Sequence, residues 1–86
     1  MSAKAVVLIE AERAAMLTLG RDLAALDGVS EVYGVTGEWD FVAIVDVVDA
    51  KQLGEAVARG VQALDGIART HTLVVLDAYH GGGEAA

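Results

Sequence analysis

The chain has no cysteine. That excludes a disulfide framework and a thiolate-bound metal, and suits a reducing cytoplasm. Positive charge is also scarce: six Lys and Arg stand against thirteen Asp and Glu, for a formal net charge of −7. The basic residues are spread singly. A nucleic-acid binder carries a basic patch or stripe, so direct binding of nucleic acid by this chain is not expected. Long apolar runs are missing as well. Ala5 to Ile9 is far too short for a signal peptide or a membrane span, and no membrane association is expected.

The groups that carry catalysis are equally sparse. Ser2 and Ser30 are the only serines, and neither sits in a nucleophile context. His71 and His80 have no second ligand at metal spacing. Gly81 to Gly83 follow no strand–helix junction that would cradle a phosphate. Glu38 and Asp40 form a charged hairpin tip, a common surface feature rather than an acid–base pair. No enzyme activity, catalytic residue, metal or cofactor is expected.

What is present is apolar pattern. The 86 residues are 55% hydrophobic, enough for one domain over 1–79, with 80–86 expected as a disordered tail. A chain this short buries only about 60–65% of its unfolded surface, so a lone monomer would be marginal. Ala5 to Ile9 reads as a first strand. Met16, Leu19, Leu23 and Leu26 give a helix from about Arg13 to Leu26, with Gly20 inside it at a cost of about 1 kcal/mol relative to Ala. Asp27-Gly28 ends that helix, Val29 to Val35 is the second strand, and Trp39 to Val48 the third. Asp49 is placed to cap a second helix, with Gln52 three residues on and a stripe of Leu53, Ala56, Val57, Val61 and Leu64. Asp65-Gly66 closes it, and Ile67 to Leu76 is the fourth strand.

The order βαββαβ repeats one unit, with Leu26-Asp27-Gly28-Val29 and Leu64-Asp65-Gly66-Ile67 at equivalent places. Two such units with right-handed crossovers give a ferredoxin-like α+β fold: a four-stranded antiparallel sheet with both helices on one face. A half-solvated strand alternates apolar and polar residues. Phe41 to Val45, Leu73 to Leu76 and Ala5 to Ile9 do not alternate, so both sheet faces call for cover. One chain has helices for only one face, and a second chain is expected on the other.

Between strands two and three lies Tyr33-Gly34-Val35-Thr36-Gly37-Glu38-Trp39-Asp40, a hairpin whose turn needs the positive φ that glycine adopts freely. Thr36, Gly37, Glu38 and Asp40 suit recognition better than reaction. Carboxylates hold an ammonium group, while exposed backbone N–H groups and hydroxyls hold a carboxylate. Together they fit a free amino acid.

Val35-Thr36-Gly37-Glu38-Trp39-Asp40 and the following apolar strand resemble the hairpin of the Lrp/AsnC transcription regulators, in their C-terminal effector-binding domain. Gly28-Val29, Val32-Tyr33 and the stretch from Gly66-Ile67 through Arg69-Thr70-His71-Thr72 to Leu76 fit the same pattern. The resemblance implies dimers paired sheet to sheet, rings of dimers, and amino-acid effectors bound between subunits. It carries ligand binding onto Thr36, Gly37, Glu38, Trp39 and Asp40, and onto the strand threonines Thr70 and Thr72. The family's helix-turn-helix has no counterpart before the first strand, so DNA binding does not carry over. A regulatory role would run through co-assembly with a full-length relative. The competing expectations are a dimeric α+β-barrel enzyme of monooxygenase type and a purely structural assembly domain. The first would need polar side chains inside an apolar barrel, of which the sequence offers few.

Overall fold

A computed structural model describes residues 2–82. Four strands form one antiparallel sheet: β1 (Ala3–Ala11), β2 (Val29–Gly34), β3 (Phe41–Val47) and β4 (Ile67–Val74), in the spatial order β2-β3-β1-β4. Helices α1 (Leu19–Ala24) and α2 (Ala50–Glu55) follow β1 and β3. This is the ferredoxin-like α+β arrangement that the two βαβ halves require. Among the described residues no helix is long and apolar enough to cross a membrane, which leaves strand-built spans unaddressed. The expected tail divides. His80 to Gly82 are exposed and outside any element, while 83–86 lie outside the described residues.

The first helix is much shorter than its spacing predicts. A single 3-10 turn at Arg13–Ala15 stands where its first turn was expected, and regular α-helix begins only at Leu19. Leu19 and Leu23 are fully buried, whereas Met16 is 43% and Leu17 96% exposed. Short helices draw their stability from the apolar face they bury, and the segment before Leu19 buries little. Gly20 is explained by proximity: a Cβ there would stand 3.0 Å from Phe41 Cε1. Its absence lets α1 lie close on β3.

The second helix starts as expected and then changes pitch. Asp49 is extended (φ −149°, ψ 174°), and its carboxylate accepts the Gln52 N–H at 2.9 Å. After α2 the backbone continues as a π-helical segment, Ala56–Gly60, and a 3-10 turn, Val61–Ala63. Leu53 and Val61 reach the core, with Ala56, Val57 and Leu64 packed partly buried against it. Both Asp-Gly pairs end their helices with glycine at positive φ, +88° at Gly28 and +93° at Gly66.

Strand alternation sorts the apolar runs onto two faces. Ala5, Val7 and Ile9 of β1 and Ala43 and Val45 of β3 are fully buried under the helices. Their neighbours Val6, Leu8, Val42 and Ile44 are only half-buried and point the other way. The register Val6↔Leu73, Leu8↔His71 and Tyr33↔Val42 adds Leu73, His71 and Tyr33 to that second face. No element among the described residues covers it. Its apolar centre is flanked at one end by the cross-strand pair Lys4–Asp46, 3.8 Å apart. At the other end stands Arg69 with Glu10 and Glu38.

Candidate functional site

The β2–β3 hairpin closes where the Val35 N–H donates to the Asp40 carbonyl at 2.9 Å, leaving Thr36, Gly37, Glu38 and Trp39 as its loop. The third strand was expected from Trp39; the ladder begins at Phe41, and Asp40 just before it is bonded to β1. Its N–H donates to the Ile9 carbonyl at 2.9 Å, and its Oδ2 accepts the Ala11 N–H at 2.8 Å. That amide sits just past a register shift between Glu10 and Ala11. Gly37 has φ +110°, and a Cβ built on it meets nothing within 4 Å. The glycine answers a backbone need, not a lack of room.

Trp39 crosses the end of β1 to the open face of β4. The Arg69 guanidinium lies 4.3 Å from the centre of its ring system, and the His71 ring is 6.2 Å away, centroid to centroid, at 35°. Arg69 Nη2 donates to Glu38 Oε2 and Nε to Glu10 Oε1, each at 3.2 Å. These bonds raise the already high guanidinium pKa, Glu38 contributing most and Glu10 next. The hairpin tip is thus tied to β4 through Glu38, whose side chain is 70% exposed. At the opposite edge of the open face, on β2, the Tyr33 hydroxyl donates to Glu31 Oε2, and the tyrosine pKa is raised, first by that bond and second by the repulsion between carboxylate and phenolate.

The seven residues the sequence pointed to do not all converge. Thr36, Gly37, Glu38, Trp39 and Asp40 share the hairpin. Thr70 and Thr72 pair with Ile9 and Val7, both core residues, and so face the helix layer, across the sheet from Trp39. Thr72 Oγ1 is buried with no hydrogen-bond partner, beside an apolar cleft of about 350 Å³ lined by Leu53, Val57 and Val74 among others. A larger cleft of about 480 Å³, between Gly28, Val47, Glu55 and Arg59, is also on the helix side and contains no hairpin residue. Arg69 and His71 were missed as partners of Trp39. Strand alternation was the available signal, since it places odd-numbered β4 residues on one face and the threonines on the other.

Chemically, the hairpin mouth offers both signs of charge beside an aromatic ring. Carboxylates stand at Glu38, Asp40 and Glu10, a guanidinium at Arg69, and the backbone N–H groups of a glycine turn lie between them. Such a set can face both ends of a zwitterion.

Comparison with known proteins agrees with the fold. A 39% identical solved structure, TTHA0845 from Thermus thermophilus, superposes with a TM-score of 0.83 over 92% of this chain and 99% of that one. The regulator NMB0573 from Neisseria meningitidis, solved in complex with L-Met, is 15% identical, with a TM-score of 0.79 over 92% of this chain and 53% of that one. At that identity the likeness speaks for the fold alone. An uncharacterised HTH-type transcriptional regulator of Pyrococcus furiosus, PF0250, is 32% identical over 56 residues, 65% of this chain. The chain spans 37% of that regulator's length. The family profile described as Lrp/AsnC ligand binding domain matches residues 4–84. By that match, which takes in nearly its whole length, the chain belongs to the Lrp/AsnC ligand-binding domain family.

Proposed function

We propose that this chain is an amino-acid-sensing and oligomer-forming domain that binds a small amino acid between subunits at the β2–β3 hairpin and shifts its own assembly in response. The observation that carries this reading is the position of the hairpin mouth, with charges of both signs, at the rim of an apolar sheet face that no element among the described residues covers. A second copy covers that face. Its apolar centre of Val6, Leu8, Val42, Ile44 and Leu73 is self-complementary, and the flanking charges are already paired within the chain. Asp40 orients the turn through Ala11 and keeps Oδ1 for the ligand's ammonium group. Backbone N–H groups around Gly37 and Glu38 receive the carboxylate. Thr70 and Thr72 contribute only from a neighbouring chain, since within one chain they lie across the sheet.

A ligand held between subunits stabilises the assembled form by its differential affinity, with no chemistry required. In a transcriptional setting the route is co-assembly with a DNA-binding relative, in the cytoplasm. The test is a thermal-shift screen of the proteinogenic amino acids, combined with light scattering. An amino acid at a hundred times its dissociation constant stabilises by about 2.7 kcal/mol. Silence to all of them, or a stably folded monomer, would refute the proposal.

A further inference from the structure

The guanidinium of Arg69 is fixed from several directions. Its strand is paired to β1 at Glu10↔Arg69, its central carbon lies 4.3 Å from the centre of the Trp39 ring system, and Nε is held by Glu10 at 3.2 Å. The remaining contact differs in kind. Glu38 reaches Nη2 from the loop of the hairpin with a side chain 70% exposed, against 41% for Glu10. Exposed pairs of this sort are weak, so a competing carboxylate displaces one readily. A guanidinium presents five N–H donors in a planar fork that matches a carboxylate two bonds at a time. Here only two donors, Nε and one on Nη2, are engaged by carboxylates. The stacking on Trp39 and the bond to Glu10 are contacts of the guanidinium that do not involve the Glu38 carboxylate.

We propose that Arg69, together with the backbone N–H groups around Gly37 and Glu38, receives the α-carboxylate of the amino-acid effector, and that Glu38 carries the internal carboxylate the effector displaces. This rests on the binding function proposed above and adds to its carboxylate site a side chain from outside the hairpin. The exchange has a structural consequence. Without effector, Glu38 ties the hairpin tip to β4; with effector, that tie passes to the ligand and Glu38 is released toward solvent. Binding is thereby coupled to the contacts the tip makes with a neighbouring chain.

The test compares wild type, Glu38→Gln and Arg69→Gln by calorimetric titration with each of the twenty proteinogenic L-amino acids. The one bound most tightly by wild type is then compared with its α-amide, which lacks the carboxylate. Glu38→Gln should bind the acid about two- to fivefold more tightly, the equivalent of losing a weak competing pair. Arg69→Gln should bind the acid about tenfold or more weakly. The amide should bind wild type and Arg69→Gln alike. If Arg69 serves only to support the hairpin, acid and amide lose affinity together, and the inference falls. It falls equally if wild type binds an amino acid and Glu38→Gln binds it no better. Absence of binding by wild type overturns the proposed function itself, and this inference with it.

Discussion

The Asp40 carboxylate accepts a hydrogen bond from the Ala11 amide at 2.8 Å, joining residues 29 positions apart. Through this bond the hairpin is fixed to β1 where that strand shifts register. Replacing Asp40 with Ala leaves the Ala11 N–H without its partner, and a hydrogen bond to a charged group contributes about 1.5–3 kcal/mol. Asp40→Ala should therefore lose stability by that order in urea unfolding with no amino acid present. Unchanged stability would mean that water replaces the brace at no cost.

Two glycines predict different dependences on side-chain size. At Gly37 the cost lies in φ +110°, with open space around it, so Ala and Val should destabilise by similar amounts, about 1–3 kcal/mol. At Gly20 the backbone is helical and the obstacle is Phe41, whose Cε1 lies 3.0 Å from the place a Cβ would take. Gly20→Ala gains helix propensity against a small shift of the ring, whereas Gly20→Leu forces overpacking at about 1–3 kcal/mol. Denaturation midpoints that rank all four variants by size alone would refute the distinction.

The strands and turn positions were legible because their signals are local: β-branched runs, Asp-Gly pairs, and the glycine of the hairpin. The interruption of the first helix was not. Met16 has the spacing of a core residue, and only the tertiary position of α1 decides that it stays 43% exposed. The pitch change after Glu55 is of the same kind, since nothing in Ala56 to Gly60 distinguishes a π-helical from an α-helical turn by periodicity. At the candidate site, the hairpin residues were singled out because they are adjacent in the sequence. On β4 the sequence singled out Thr70 and Thr72, which within one chain lie across the sheet from Trp39, because a run of polar residues on a strand does not announce its face. Once β1 supplies the register, Arg69 and His71 fall beside Trp39.

Neighbouring residues on β3 should separate folding from assembly. Ile44 lies half-buried on the open face, and Val45 is fully buried beneath the helices. Ile44→Lys should leave the fold intact by circular dichroism and yield monomers in light scattering, because the charge is unpaired only when a second sheet covers it. Val45→Lys places an unpaired charge in the core, at several kcal/mol or roughly the whole stability of a small domain, and should not fold. An Ile44→Lys protein that still assembles as wild type does would exclude this face as the interface.

The Tyr33–Glu31 pair gives the open face a pH dependence whose sign can be worked out. The Tyr33 pKa is raised above its ordinary 10.0, first because Glu31 accepts the hydroxyl proton in a hydrogen bond and second because its charge opposes phenolate. A folded-state pKa above the unfolded value means the pair's contribution to stability is fully present below pH 10.0. It is lost as pH rises through the folded value. Tyr33 is half-exposed in the single chain, so the contribution to the monomer is small, and the effect concerns assembly more than folding. A dimer that covers this face buries the phenol further and opposes its ionisation again. The Tyr33 ring signals followed by NMR should therefore titrate above the ordinary value in wild type. They should move down toward it in Glu31→Gln, which removes the carboxylate. A Tyr33 midpoint that stays where wild type has it in Glu31→Gln would show that the carboxylate does not oppose ionisation of the phenol.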